Sequence, residues 1–315
     1  MADPKRMPVE QVLLEDGNMS VSLLNYGAIT QGWWLGETPL ILGYENPQDY
    51  LSDPFYLGAM VGRVANRIGG AQFALQGRVH HLTANEGPTT LHGGPSGLSR
   101  KYWDIVKTSP NQSVLSLTSP KGEGGFPGAV NFEVHVELTC PRLIYTIRAR
   151  PDRPTPISIA QHNYYTLGCP EDIMDCRLRL RSNRVLELDA RSVPSGDISA
   201  AGDNVPDFAL SRTVGAEGRE LDHYFVFDQS GNRDHPVAEV TAPSGLRMNL
   251  YSDQPGAQVY AGAHLSGRFS PCAGLCIEPS GYPNAVNVPA FPSVIHTPDN
   301  PYRQTLTLEI SEERS

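Results

Sequence analysis

The chain has 315 residues, 39% of them hydrophobic, with 30 glycines, 27 prolines and a formal net charge of −9. That charge argues against a nucleic-acid surface or a polybasic membrane patch, and it is compatible with a neutral substrate such as a sugar. Five cysteines, at positions 140, 169, 176, 272 and 276, are too few and too unevenly spaced for a secreted disulfide framework, and no Cys-x-x-Cys pair marks a redox or zinc site. No run approaches the roughly 18 apolar residues a membrane helix needs, and no signal-like apolar stretch follows Met1, so a cytoplasmic protein with no membrane or nucleic-acid partner is expected.

In chain order, alternating or short apolar runs separated by turn residues predict strands at 9–14, 19–24 and 28–35, punctuated by Asp16-Gly17 and Tyr26-Gly27. A hairpin is expected around Gln76-Gly77-Arg78, joining 71–75 to 79–82. Strands at 102–107, 113–117, 130–138 and 143–149 follow. In the third of these Phe132, Val134, Val136 and Leu138 alternate with Asn131, Glu133, His135 and Glu137, the pattern of a half-buried antiparallel strand. Further runs lie at 157–160, 175–181, 185–189, 224–227, 238–240, 246–251, 258–260 and 305–310. Residues 191–220, rich in Ser, Gly, Asp and Pro, predict a long irregular connection with one short helical turn. No stretch carries a helical period with caps, and no interdomain linker or fixed repeat interrupts the chain. The expectation is one all-β domain over 1–315, a sandwich or barrel of mostly antiparallel strands, which is within the size such domains reach.

The chemistry centres on Gly274-Leu275-Cys276-Ile277-Glu278-Pro279-Ser280-Gly281, where an apolar strand leads to one carboxylate and then to turn residues. A carboxylate there costs desolvation, which favours a general base, although a strand-end Glu reaching solvent is an equal alternative. Three polar clusters accompany it. Arg63 and Asn66-Arg67-Ile68, with Leu91-His92-Gly93-Gly94, offer guanidinium forks that suit hydroxyl oxygens and glycines that let a ligand approach the backbone, or else form an ordinary surface turn. Gln161-His162-Asn163-Tyr164-Tyr165 supplies a histidine able to donate a proton near neutrality, or a structural one. Leu221-Asp222-His223 supplies a carboxylate that could equally cap a turn. Lys121-Gly122-Glu123-Gly124-Gly125-Phe126-Pro127-Gly128 lacks the Lys-Ser/Thr ending of a phosphate loop. His80-His81 would point to opposite faces of a strand, a poor metal site.

Taken together, Asn66-Arg67-Ile68, Leu91-His92-Gly93-Gly94, Gly125-Phe126-Pro127-Gly128, Gln161-His162, Leu221-Asp222-His223, Gln254-Pro255-Gly256 with Gln258-Val259-Tyr260, Cys276-Ile277-Glu278-Pro279, Ala285-Val286-Asn287 and Phe291-Pro292 resemble, in order and spacing, the aldose 1-epimerase (galactose mutarotase) family. The resemblance implies a large β-sandwich, mostly antiparallel, with its site in a concave face. It implies Glu278 as the base that takes the C1 hydroxyl proton of an aldohexose or aldopentose, and His162 as the acid that protonates the ring oxygen. Asn66, Arg67, His92, Asp222 and Gln258 would hold the hydroxyls. It further implies no cofactor and no metal, and a monomer or homodimer. Ser280, Asn284, the Ala263-His264-Leu265-Ser266 stretch and Thr166 depart from the family pattern, which leaves the sugar open. The rivals are a non-catalytic sugar sensor, a glycoside hydrolase using Glu278 and Asp222, and an epimerase of phosphorylated sugars.

Overall fold

The computed structural model describes residues 8–202, 204–228 and 235–312. Two sheets dominate. A nine-stranded sheet runs, in spatial order, Asp104–Ser109, Gln112–Ser119, Val130–Thr139, Arg142–Pro151, Tyr302–Glu312, Leu246–Ser252, Ala238–Thr241, Arg177–Leu180 and Arg212–Thr213. A six-stranded sheet runs Tyr164–Tyr165, Leu275–Ser280, Gly256–Tyr260, Asp222–Val226, Arg184–Leu188 and Pro194–Ala200. All the pairings in both are antiparallel. A smaller four-stranded sheet is built from Gln11–Asp16, Met19–Leu24, Ile29–Leu35 and Thr38–Pro39. Among the described residues the helical segments are all short 3-10 turns.

Period-two alternation decides what faces what. In Val130–Thr139 the odd-looking partners Val130, Phe132, Val134, Val136 and Leu138 are buried while Asn131 and Glu133 are exposed. Those apolar side chains join Tyr145, Ile147, Leu306 and Leu308 from the same sheet and Phe225, Ala257, Val259, Leu275 and Ile277 from the six-stranded sheet in one core. The chain is therefore a β-sandwich whose filling is contributed by both inner faces. The six-stranded sheet is covered on its other face too, by clusters around Tyr50, Leu57 and Tyr164 and around Tyr224, Tyr282 and Phe291. Burial on both sides explains why Leu275–Ser280 reads as a nearly unbroken apolar run.

Three expectations need correction. Glu278 does not end its strand, which continues through Pro279 to Ser280 with Gly256 paired to Ser280. Residues 191–220 are more regular than their polar composition suggests. They hold the strand Pro194–Ala200, paired among the described residues only to Arg184–Leu188 at the sheet edge, a two-residue strand Arg212–Thr213, and the expected helical turn, at Ala216–Gly218. The apolar run 157–160 is not one strand. Thr155–Pro156 pairs with Ile295–His296 and Ala160–Gln161 with Met60–Val61, because between them Ser158 turns its N–H to the Arg63 carbonyl. The hairpin at Gln76-Gly77 forms as expected, both residues having positive φ, 51° and 73°.

Arg63 is part of this scaffold. The five N–H groups of its buried guanidinium are shared among Ser119 Oγ and O and the carbonyls of Pro120, Pro127 and Gly128. The glycine-rich 121–128 loop is thereby wrapped around an arginine, and burial lowers that arginine's pKa to about 10. Replacing Arg63 by Met would leave several buried carbonyls without donors, so Arg63→Met is expected to lose about 3 kcal/mol or more of stability. Urea denaturation with an unchanged midpoint would contradict that role.

Candidate active site

Alternation on the six-stranded sheet also builds the site. Leu275 and Ile277 point into the core, so Cys276 and Glu278 face the other way. Gln258 is the direct cross-strand neighbour of Glu278, and Asp222 begins the next strand opposite Tyr260. A cleft of about 210 Å³ over this face is lined by Asn66, Arg67, His92, His162, Asp222, Gln258 and Glu278, together with Tyr56, Glu86, Tyr164, Tyr260 and His264. The seven residues singled out in the sequence thus converge on one cleft. A wider groove on the outer face of the nine-stranded sheet is lined by Arg148, Arg150 and Arg303, with neither a histidine nor a buried carboxylate among its described lining residues.

His162 is fixed from both sides. Its N–H donates to the Ala59 carbonyl and its carbonyl accepts from Gly58 N–H. The flanking buried amides clip together, Asn163 N–H donating to Gln161 Oε1 at 2.8 Å and Gln161 Nε2 to Asn163 Oδ1 at 2.7 Å. The imidazole is boxed by the rings of Tyr164, His92 and Tyr56 at 5.1, 5.4 and 5.8 Å. Its Nδ1 lies 3.6 Å from Cys276 Sγ and its Nε2 3.6 Å from Glu278 Oε1. Neither Glu278's carboxylate nor His162 Nε2 has a hydrogen-bond partner among the described residues closer than this contact.

Both groups are buried, His162 at 5% and Glu278 at 4% exposure, and burial dominates their titration. It lowers His162 from 6.5 to about 4. Glu278 is pushed well above the ordinary carboxylate value by burial and, secondarily, by the charge of Asp222. The sequence alone suggested a histidine titrating near neutrality; the closed surroundings move it down because they disfavour the imidazolium. Both shifts favour the uncharged form of each group, the carboxyl protonated and the imidazole neutral.

The hydroxyl-holding candidates form a network. Arg67 N–H donates to Asn66 Oδ1 (2.7 Å), Asn66 Nδ2 to Gln258 Oε1 (3.0 Å), and Gln258 Nε2 to Asp222 Oδ1 (2.6 Å). Asn66 N–H also donates to His92 Nδ1 at 3.2 Å. Since burial, with the neighbouring His162 and Arg67, keeps His92 neutral, that bond places its proton on Nε2. His92 sits at φ 52° and is followed by Gly93 at φ 83°. A Cβ at Gly93 would lie 1.9 Å from the Gly62 carbonyl oxygen, so the glycine admits the protein's own backbone rather than a ligand.

His92, His162 and Glu278 could also present one ligand atom each to a cation, all within 4.8 Å of one another. His92 suits this poorly, because ligation through Nε2 requires the proton to move to Nδ1, against the Asn66 N–H.

Glu86, Tyr56 and His264 were not among the residues assigned a role from sequence. Glu86 holds Arg67 in a two-bond ion pair, Nε–Oε2 2.7 Å and Nη2–Oε1 2.9 Å. The Tyr56 ring lies 4.8 Å from that of His92, tilted by 58°. Of the departures from the family pattern, only His264 lines the cleft. Thr166 donates to the Pro39 carbonyl, Asn284 accepts from Gly69 N–H, and the Ser280 carbonyl accepts from Tyr224; these support the backbone.

Fold and cleft together define a β-sandwich protein with a buried carboxyl–imidazole pair framed by a network of polar side chains. The sequence matches the family described as aldose 1-epimerase over residues 10–309, and the chain belongs to that family. It is 30% identical to the galactose mutarotase of Sus scrofa over 94% of this chain and 92% of that protein. It is 28% identical to the aldose 1-epimerase of Escherichia coli K12 over 89% and 88% of the two chains. Among solved structures, a GalM/aldose epimerase homologue from C. elegans superposes with a TM-score of 0.92 at 24% identity, covering 98% of this chain and all of that one. No helix among the described residues is long and apolar enough to cross a membrane.

Proposed function

We propose that the chain is a mutarotase, interconverting the α and β anomers of a free aldohexose or aldopentose with Glu278 and His162 as the proton-transferring pair. One observation carries this reading. A buried carboxyl and the Nε2 of a buried imidazole stand 3.6 Å apart, with no closer hydrogen-bond partner for either among the described residues, and both face a cleft of sugar size. The hemiacetal's O1 and ring oxygen share one carbon, so the donor and acceptor that act on them must be near neighbours. A binding protein has no need of such a pair.

On this reading the bound sugar sets the charge state of the pair. The C1 hydroxyl donates to Glu278 and the ring oxygen accepts from His162, which favours carboxylate plus imidazolium over the uncharged pair. Glu278 then takes the O1 proton while His162 Nε2 protonates the ring oxygen, and the C1–O5 bond breaks. Rotation about C1–C2 presents the other carbonyl face. Closure returns both protons, so the pair ends with the proton inventory it began with. Each positioned acid or base contributes roughly 10²–10⁴-fold.

Charge at the cleft supports a neutral aldose over a phosphorylated one. Arg67 is the one Arg or Lys among the described lining residues, and Glu86 already pairs with it, while Asp222 and Glu278 add acidic groups. The relatives named galactose mutarotase make galactose the first sugar to try. Asp222 is engaged by Gln258, which disfavours its service as a glycosidase carboxylate.

Arg67→Met is expected to raise KM roughly 10–100-fold, the size of one charge-assisted hydrogen bond, and to change kcat little. Steady-state rates over a range of galactose concentrations separate the two. A kcat loss with unchanged KM would remove Arg67 from sugar binding. The function itself is tested by polarimetry on freshly dissolved sugars.

A further inference from the structure

We propose that Cys169 and Cys176 form a thiol–disulfide exchange site that closes to an intramolecular disulfide on reaction with a small neutral disulfide. All five cysteines are free, and in this pair the sulfurs lie 3.3 Å apart. A disulfide bond is about 2.05 Å long, so the two sulfurs are already in van der Waals contact and close to bonding distance. The pair is held by backbone rather than by chance contact. Cys169 N–H donates to Thr166 O and Cys176 N–H to Ile173 O. The intervening loop is tied down by Ile173 N–H to Cys272 O, Val214 N–H to Cys176 O and Gly215 N–H to Met174 O.

Exposure assigns the order of events. Cys169 is partly exposed and Cys176 is buried, so an incoming reagent meets Cys169 first. The Cys176 thiol hydrogen-bonds to Cys169 and lowers the Cys169 pKa, while the same bond and burial raise that of Cys176. Cys169 loses its proton to solvent, attacks one sulfur of the reagent and breaks its S–S bond. The departing thiolate takes up a proton. Cys176 then loses its proton, attacks Cys169 Sγ and expels the second thiolate, which is likewise protonated. Two protein thiols are oxidised and one disulfide is reduced to two thiols. Glu171, Asp172 and Asp175 are exposed in the same loop, so anionic disulfides are repelled and an uncharged one is the matched reagent.

Closure would staple the loop on which residues 214–218 rest, just before the strand that carries Asp222. The proposal depends on this loop alone and stands apart from the reading of the cleft.

The test is incubation of the reduced full-length chain with bis(2-hydroxyethyl) disulfide, followed by thiol counting in denaturant and mass spectrometry of the digest. The expected result is a fall from the five free thiols to three, a mass lower by two hydrogen atoms, and a Cys169–Cys176 cross-linked peptide that reductant removes. Cys169→Ser and Cys176→Ser should each block the cross-link, and the partly exposed position makes Cys169→Ser safe for folding. Five thiols remaining, a lasting hydroxyethyl adduct on Cys169 without closure, or a disulfide between other cysteines would overturn the proposal.

Discussion

Glu278→Gln is expected to abolish most anomerisation, by roughly 10²–10⁴-fold, while making the folded chain more stable at neutral and alkaline pH. The two effects share a cause. The folded-state pKa of Glu278 lies well above its ordinary value because the group is buried and, secondarily, because the Asp222 charge stands nearby. A carboxyl with a raised folded pKa binds its proton more tightly folded than unfolded, so stability is full below the unfolded value and declines as pH rises towards the folded one. Gln keeps the shape and cannot ionise, so the decline disappears. Thermal melts of both proteins across pH should diverge upward from about pH 5, with the variant higher. Equal melting curves together with full activity would remove Glu278 from the centre of the account.

His162→Asn carries the second large effect, a comparable loss of kcat with the cleft's other polar side chains intact. Its pH signature has the opposite sign. Folding lowers His162 from 6.5 to about 4, so the unfolded chain binds the extra proton between those values and wild-type stability falls as pH drops from 6.5 towards 4. The variant should lose that part of the acid sensitivity. For the wild type, kcat/KM should be broad and bell-shaped. The acid limb lies near 4, where the pair gains a second proton and no base remains; the alkaline limb lies well above the carboxylate range, where the pair loses its last proton. These values belong to the pair rather than to either residue alone. A profile with its acid limb near 6.5 would mean that burial does not control His162.

How much was legible before the structure follows from what each residue's signal depends on. Phe132 to Leu138 and Leu246 to Ser252 announce themselves because one face is buried and the pattern is local. Pro194–Ala200 did not, because it is an edge strand with one neighbour and mostly exposed side chains, so burial writes little apolar pattern into it. Residues 157–160 misled because burial on all sides gives the same apolar run whether or not the backbone is paired to one strand.

The site shows the same division. Glu278, His162, Asn66, Arg67, His92, Asp222 and Gln258 each had a bland alternative when read singly, and only their joint resemblance to a family singled them out. The structure adds the physical reason they belong together, since adjacent strands place Gln258 beside both Glu278 and Asp222. Glu86 was invisible because Asn85-Glu86-Gly87 reads as a charged turn, and its meaning comes from Arg67, with which it pairs across 19 positions of chain. Tyr56 belongs to a loop, at φ 57°, and only its contact with His92 gives it a place. Arg63 shows the converse, an arginine of the right type and neighbourhood whose guanidinium is wholly engaged by the scaffold.

The most direct test is polarimetry of freshly dissolved α-D-galactose and α-D-glucose, alone, with the protein, and with Glu278→Gln at equal concentration. The account requires the wild type to speed the approach to an unchanged final rotation and the variant to leave it near the spontaneous rate. Folded wild-type protein without effect on either sugar or on arabinose and xylose, or a variant as fast as the wild type, would contradict it.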